Sequence, residues 1–359
     1  MKKKHLFLDI HAIQTLPPSN VNRDDTGSPK TARYGGVIRV RVSSQAWKKA
    51  MRDYFRVFGP EACVGVRTKN VGGYVAQKIC EKDSSVSMED ARQKAEDVLK
   101  AAGLKFKEGK LAALFFLGEK QAERLAEAAL AGEKDKAALG KILKENPEMD
   151  MALFGRMLAD DPAMNIDASA QVAHAISTHE VQTEYDYFIA EDDYEQRGNA
   201  GAAHLDTMEY NSSTLYRYAN VAVHEFYKQM GEDKDTAVNA LKLFINAFVY
   251  SMPSGKENSY ANRTIPQAVL VTLRDDRPIS LVSAYEKPVR SQDGYVDKSI
   301  QLLLEENRNA DKFVHEPVAS WCLMARGLNR ENKNIFKGEE EQTMSDLLKA
   351  LSDKLNELL

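Results

Sequence analysis

Val37-Ile-Arg-Val-Arg-Val-Ser-Ser-Gln-Ala-Trp-Lys-Lys-Ala-Met-Arg-Asp-Tyr-Phe55 carries the change of period that sets the fold. Over residues 37–42 apolar side chains alternate with Arg39 and Arg41, the two-residue repeat of a strand. Ser43 and Ser44 then offer an N-cap, because a serine hydroxyl can accept from an N–H group that a helix start leaves over. Beyond them Trp47, Ala50, Met51 and Tyr54 recur at helical spacing, with Gln45, Lys48, Lys49, Arg52 and Arg56 largely on the opposite face. A short strand thus feeds a helix with an apolar face to dock and a basic face to show. Hydroxyls, first-turn N–H groups and cations meet at its start. Such a surface suits a phosphodiester, since the helix dipole favours anions and Lys or Arg displaces counterions. A capped surface helix with solvated lysines is the competing reading, and the neighbouring Arg23, Arg39 and Arg41 weigh against it.

On the N-terminal side, Leu6, Leu8 and Ile10 alternate with Phe7, Asp9 and His11, which predicts a first strand ended by Pro17-Pro18. Residues 19–36, rich in Pro, Gly, Asn and Asp, read as one long loop, a kind that is usually functional or disordered. Downstream, residues 84–148 are rich in Ala, Lys, Glu and Leu with Pro147 as their only proline, and predict a helical insertion. Val181, Thr183, Tyr185, Tyr187 and Ile189 then alternate with polar residues and Phe188 as a strand, and Leu215 to Val223 reads as its partner. Residues 192–207 between them are too long for a tight turn, so the hairpin projects. A helix over 235–250 and a strand over 268–273 complete a βαββαβ order with insertions. The predicted class is α+β, the ferredoxin-like arrangement shared by RNA recognition motifs. Residues 1–80 and 149–300 would form that domain, with the hairpin at about 186–215. Residues 81–148 would form the insertion, and 301–359 a C-terminal helical segment whose Met344, Leu347, Leu348, Leu351, Leu355 and Leu358 make an apolar stripe.

With 359 residues, 43% hydrophobic and 28% charged, the chain has ordinary globular composition and length for one large or two modest domains. Its net charge of -4 hides an asymmetry: residues 1–60 balance at +8 and the remainder at -12. Cys63, Cys80 and Cys322 are odd in number and widely spaced, so neither a disulfide framework nor a thiolate metal site is suggested, and a reducing, cytoplasmic setting fits. The apolar run from His5 to Ile13 is broken by Asp9 and His11, too short and polar for a signal peptide or a membrane span.

Asn22-Arg23-Asp24-Asp25, Tyr34-Gly35-Gly36, Arg39-Val-Arg-Val-Ser-Ser-Gln45 and Lys48-Lys49-Ala50-Met51-Arg52 together resemble the backbone subunit of Cascade, the type I-E CRISPR surveillance complex. Gly155-Arg156-Met157, the stretch from Ala173 to His179, Gly201 to Leu205, Leu215 to Val221 and Pro253 to Lys256 agree in the same order, over about residues 5–300. The resemblance implies a non-catalytic protein that binds guide RNA (crRNA), assembles in several copies along the spacer with other Cascade subunits, and supports pairing with target DNA in antiviral defence. It also implies a hand-like shape: an RNA-recognition-motif palm, helical fingers and a hairpin thumb. Carried over residue by residue, Arg23, Ser43, Gln45, Lys48 and Arg52 would hold the RNA backbone, with Lys49 as a basic neighbour. Met157 would wedge against a base step, and Phe188, His204 and Leu205 would fold over a displaced nucleotide. Cations that grip phosphate carry no sequence information, which is what a protein accepting any spacer needs.

Other constellations are weaker. Tyr216 and Tyr218 share a strand face and could stack bases, with core packing as the default. For Met157, ordinary core filling is the alternative. His174 and His179 lack the i, i+4 spacing with an intervening Glu of a zinc site, and no metal or cofactor is expected. Asp24 and Asp25 admit a rival, a metal-dependent endoribonuclease, against the plainer reading that they cap the loop or pair with Arg23 and Arg33. No Walker loop, dinucleotide fingerprint or nucleophile elbow is present.

Overall fold

The structure, a computed structural model, describes residues 5–61, 63–158, 162–190 and 204–359. Strands β1 (Phe7–Ser19), β2 (Thr31–Tyr34) and β3 (Val37–Val42) precede helix α1 (Ser44–Phe58). Next come β4 (Val66–Thr68), α2 (Val71–Lys82), α3 (Met88–Ala101), β5 (Phe106–Lys107), β6 (Lys110–Leu111), β7 (Phe115–Leu117), α4 (Glu119–Leu130), α5 (Lys136–Lys144) and α6 (Met149–Phe154). The chain continues through β8 (Ala170–Val172), β9 (Ala175–Ser177), β10 (Glu184–Ala190), β11 (His204–Ala222), α7 (Val223–Gln229), α8 (Lys234–Tyr250), α9 (Glu257–Tyr260) and β12 (Ala268–Arg274). It ends with α10 (Val296–Ala310), β13 (Ala319–Met324), α11 (Arg330–Ile335), β14 (Glu339–Glu341) and α12 (Met344–Leu358). The class is mixed α+β. Two compact units divide it: Met1–Met51, Val172–Asn220 and Ile245–Lys354 form the first, and Arg52–Gln171, Val221–Phe244 and Leu355–Leu359 the second.

The first unit is built on a sheet of order β14-β13-β12-β1-β11-β9-β3-β2, with β8 and β10 also paired to β11. Residues 7–13 of β1 run antiparallel to β12, from Phe7 opposite Arg274 to Ile13 opposite Ala268. The strand runs through Pro17-Pro18 rather than ending there. Both prolines lie beyond the segment paired with β12, so their missing N–H groups cost no bond in that ladder. The long loop is likewise shorter than expected, because residues 31–42 fold as the hairpin β2–β3 around Gly35-Gly36.

Strand β11 serves two partners along its length. Residues 204–210 pair with β10, from Glu184 opposite Tyr210 to Ala190 opposite His204, whereas Leu215 and Tyr216 pair with Ser177 and Ile176 of β9. The expected pairing of 181–189 with 215–223 is thus displaced: β9, three residues long, takes the place beside the second half of β11. A segment that short shows no period in sequence. The hairpin tip expected near Gly201 lies outside the described residues. The segment from 301 onward is not helical throughout, since β13 continues the sheet beyond β12 and β14 beyond β13.

Tyr216 and Tyr218 are buried, which removes them from base stacking. The Tyr216 hydroxyl meets His11 Nδ1 at 2.9 Å and accepts from the Leu281 N–H, while the Tyr218 hydroxyl donates to Asp9 Oδ1 at 2.8 Å.

The second unit is a separate helical core. Val71, Val75 and Ile79 of α2 recur at helical spacing and pack with Ala91, Ala95, Leu99, Ala122, Leu125 and Leu143, all fully buried. Helix α4 starts without a capping side chain, at Gly118. Its cap comes from the start of α6 instead: Glu148 Oε1 accepts from the Lys120 N–H at 3.0 Å. A Cβ on residue 118 would lie 1.4 Å from Glu148 Oε2, so a larger residue there displaces that carboxylate. Among the described residues no helix is long and apolar enough to cross a membrane.

Candidate nucleic-acid interface

Helix α1 buries Trp47, Ala50, Met51 and Phe55 and shows Gln45, Lys49 and Arg56, while Lys48 is half-buried. Its start is braced from two sides. The Ser43 N–H donates to Asn22 Oδ1 at 2.8 Å, tying the loop that carries the exposed Arg23 to the helix. The Ser44 N–H donates to His174 Nδ1 at 2.9 Å, and the Ser43 hydroxyl accepts from the Ala46 N–H at 3.3 Å. Ser43 is therefore the buried N-cap, and the N–H groups of Ser44 and Ala46 are already bonded within the protein. The anion-attracting character of this end comes from its dipole and its cations. Lys30 and Arg41 join them, linked by Arg41 N–H to the Lys30 carbonyl oxygen and Lys30 N–H to that of Asn22, both at 2.8 Å. The His174 imidazole is held below its ordinary pKa, first by burial and then by the charges of Arg41 and Lys30. Local potential on this face is positive.

Two arginines expected near this surface are internal. Arg39 is fully buried, donating to the carbonyl oxygens of Ser177 at 2.8 Å and Tyr285 at 2.9 Å, and burial lowers its pKa. Arg52, expected on the RNA side of α1, is 8% exposed. Its Nε donates to Asp150 Oδ2 at 2.7 Å and its Nη2 to the Gly65 carbonyl oxygen at 2.9 Å. Asp150 Oδ1 accepts in turn from the Gly65 N–H. The guanidinium is spent on an internal carboxylate, so Arg52 is corrected from phosphate ligand to structural ion pair. Behind α1, and unread in the sequence, Arg217 lies 3.6 Å from the Trp47 ring centroid and 4.4 Å from that of Phe248. It donates to Gln14 Oε1 and to the Phe248 carbonyl oxygen, and burial pushes its pKa down to about 9.

Met157 belongs to the second unit and is 84% exposed, which excludes core filling. It follows Gly155, whose φ of +74° breaks the chain away from α6, and the buried Arg156. Arg156 donates to the carbonyl oxygens of Phe116, Leu143 and Met164, fixing the segment that presents Met157. Phe188 is half-buried on β10 opposite Asp206. His204 and Leu205 stand opposite Ala190 and Ile189 in the hairpin, and their side chains lie outside the described part.

Asp24 is exposed and its carboxylate accepts from the Thr26 hydroxyl at 2.7 Å and the Thr26 and Ser28 N–H groups at 3.0 Å. These bonds, the hydroxyl's first, hold its pKa below the ordinary carboxylate value. Asp25 is exposed beside it. His179 stacks on Tyr295 with ring centroids 3.7 Å apart. Among the described residues no cluster of three or more His, Cys, Asp or Glu side chains could hold a metal ion, and Cys63, Cys80 and Cys322 are free thiols.

A family model described as CT1975-like protein matches residues 8–350. Among solved structures, the chain is similar to one from a CRISPR RNA-guided surveillance complex in a pre-nicking state, with 32% identity, a TM-score of 0.85 and coverage of 97% of this chain and 100% of that one. It is also similar to a chain of a second CRISPR RNA-guided surveillance complex, at 28% identity, TM-score 0.74 and coverage of 97% and 99%. No curated protein matches the sequence.

Proposed function

The chain belongs to the CT1975-like family, and from that premise we propose that it is a non-catalytic, crRNA-binding backbone subunit of a type I-E Cascade complex that polymerises along the guide. The single observation that carries the reading is the braced basic face at the start of α1. Arg23, Gln45, Lys48 and Lys49, with Lys30 and Arg41, surround a helix N-terminus fixed by Asn22 and His174. Fixed cations without a base-reading pattern suit a ligand whose letters must stay free to pair. Likeness to chains of RNA-guided surveillance complexes over nearly the whole length supports the same class of partner. In the sheet, β12, β1, β11 and β9 stand side by side. Counted as fourth, first, third and second strands around α1 and α8, they give the ferredoxin-like order, and we read this part as the RNA-recognition-motif palm. The second unit's helices and the β10–β11 hairpin would be fingers and thumb. Polymerisation follows from energetics: one copy with a handful of phosphate contacts binds weakly at physiological salt, and neighbours on one strand add affinity.

Lys48→Ala combined with Lys49→Ala should leave the fold intact, by circular dichroism, and strip most copurifying RNA. Undiminished RNA and normal assembly would overturn the reading. The Asp24 carboxylate is engaged by Thr26 and Ser28, which favours a loop-capping role. Assembled protein incubated with complementary RNA and magnesium should therefore leave that RNA whole. Cleavage abolished by Asp24→Ala or Asp25→Ala would establish the nuclease instead.

A further inference from the structure

We propose that Arg217 is a buried positive charge beneath α1 that raises the affinity of the overlying basic face for phosphate without touching the ligand. This rests on the reading of that face as an RNA contact and names a residue that serves it from inside. Five arginines are buried among the described residues: Arg39, Arg52, Arg156, Arg217 and Arg274. Four of them lie in the field of a carboxylate: Arg39 of Glu180 and Glu286, Arg52 of Asp150, Arg156 of Glu148, and Arg274 of Asp9 and Asp311. Arg217 has no such neighbour among the described residues. Burial alone pulls its pKa down, to about 9, so the guanidinium is still ionised at neutral pH.

Its place follows from the strand. Leu215 and Arg217 are two residues apart on β11 and share a face, the one on which Leu215 packs with Val40, Val42, Ala175 and Trp47. The guanidinium meets two rings there, its Cζ 3.6 Å from the Trp47 centroid and 4.4 Å from that of Phe248. It donates to Gln14 Oε1 and to the Phe248 carbonyl oxygen in the last turn of α8, so it also caps that helix. A neutral donor would supply those bonds, and the helix end sets only about half a charge against the cation. An ionised group in this setting therefore costs stability that its contacts do not require. Trp47 belongs to the first turn of α1, whose other face shows Gln45 and Lys49. The charge thus lies about one helix width, roughly 10–12 Å, beneath the phosphate-facing side. No salt enters that path, so its field is screened less than that of a surface lysine. Half a net charge at about 12 Å, in an effective dielectric of about 20, alters affinity about threefold per phosphate.

The test uses the full chain and fluorescently labelled oligouridylate RNA. Arg217→Met removes the charge and keeps an apolar side chain against Trp47. It should weaken binding about threefold and leave the slope of log K against log salt unchanged, since no phosphate contact is lost. Lys49→Ala, which removes a direct contact, should instead reduce that slope by about 0.7. Arg217→Lys supplies a second measurement. Gln14, Trp47 and Phe248, which face residue 217, do not titrate, so a buried ammonium there would lose its proton on its own account. Its affinity relative to the unsubstituted chain should be near one at about pH 6 and fall toward that of Arg217→Met by about pH 9. A purely structural side chain gives no such profile. Unchanged affinity in Arg217→Met, a reduced salt slope in it, or an Arg217→Lys ratio flat with pH would overturn the proposal. The last of these decides the matter if Arg217→Met misfolds. If Lys48→Ala with Lys49→Ala still weakens binding when the proposal fails, the RNA-binding reading stands without it. If no substitution alters binding, both fall.

Discussion

Lys49 and Arg52 are three residues apart on one helix and do different work. Lys49 is exposed, whereas Arg52 is buried against Asp150. Removing one partner of a buried ion pair strands the other, at a cost of about 3–5 kcal/mol. Arg52→Ala should therefore unfold at markedly lower denaturant, while Lys49→Ala should shift stability by less than about 0.5 kcal/mol. Equal midpoints in a urea titration would contradict the assignment. Sequence reasoning could see that both residues flank an apolar stripe. It could not see Asp150, 98 residues away, because such a pairing is fixed only by how the second unit closes. Met157 shows the converse limit. Methionine is a core residue by composition, and only the positive φ of Gly155 and the anchoring of Arg156 turn it outward.

At the scale of elements, long periodic segments were legible and short ones were not. The strand into α1, the helix near 235–250 and the strand near 268–273 stand within a residue or two of where period and capping place them. Strands β4 and β7, three residues each, carry Arg67 and Phe116 and left no pattern to read. The start of α4 illustrates what sequence cannot show, since a glycine there reads as a poor cap until Glu148 arrives from another element. Gly118→Ala should expel that carboxylate and lower stability by about 0.5–2 kcal/mol, the usual loss of a cap. Gly140→Ala, inside α5 with no atom near its would-be Cβ, should raise stability by about 0.5–1 kcal/mol. Thermal melts of the two variants check the opposite signs.

Across the molecule, the buried polar centre of the first unit makes stability depend on pH in two opposed ways. Burial pushes the Asp9 carboxyl from 3.8 up to about 7 despite the Ile279 N–H, the Tyr218 hydroxyl and Arg274, with Asp276 adding to the rise. The folded state holds that proton longer, so the Asp9 contribution is lost as pH rises from 3.8 through 7. Burial and Arg274 lower His11, which faces Tyr216 and Tyr218, from 6.5 to about 3, so its contribution is lost as pH falls from 6.5 toward 3. The two slopes oppose each other between 3.8 and 6.5. Relative to the unsubstituted chain, Asp9→Asn should gain stability as pH rises through that window and His11→Gln as pH falls, measured by urea unfolding at stepped pH. Variants whose differences are flat with pH would refute it. Charge at larger scale was legible as the +8 of residues 1–60, although part of it, Arg39 and Arg52, turned out to serve the interior. The most direct test of the central claim is native mass spectrometry of the full chain mixed with single-stranded RNAs of increasing length. A fixed number of nucleotides per added copy, giving a ladder of assemblies that lengthens with the strand, is the expected result. A chain that stays RNA-free, or binds as one copy whatever the length, would contradict it.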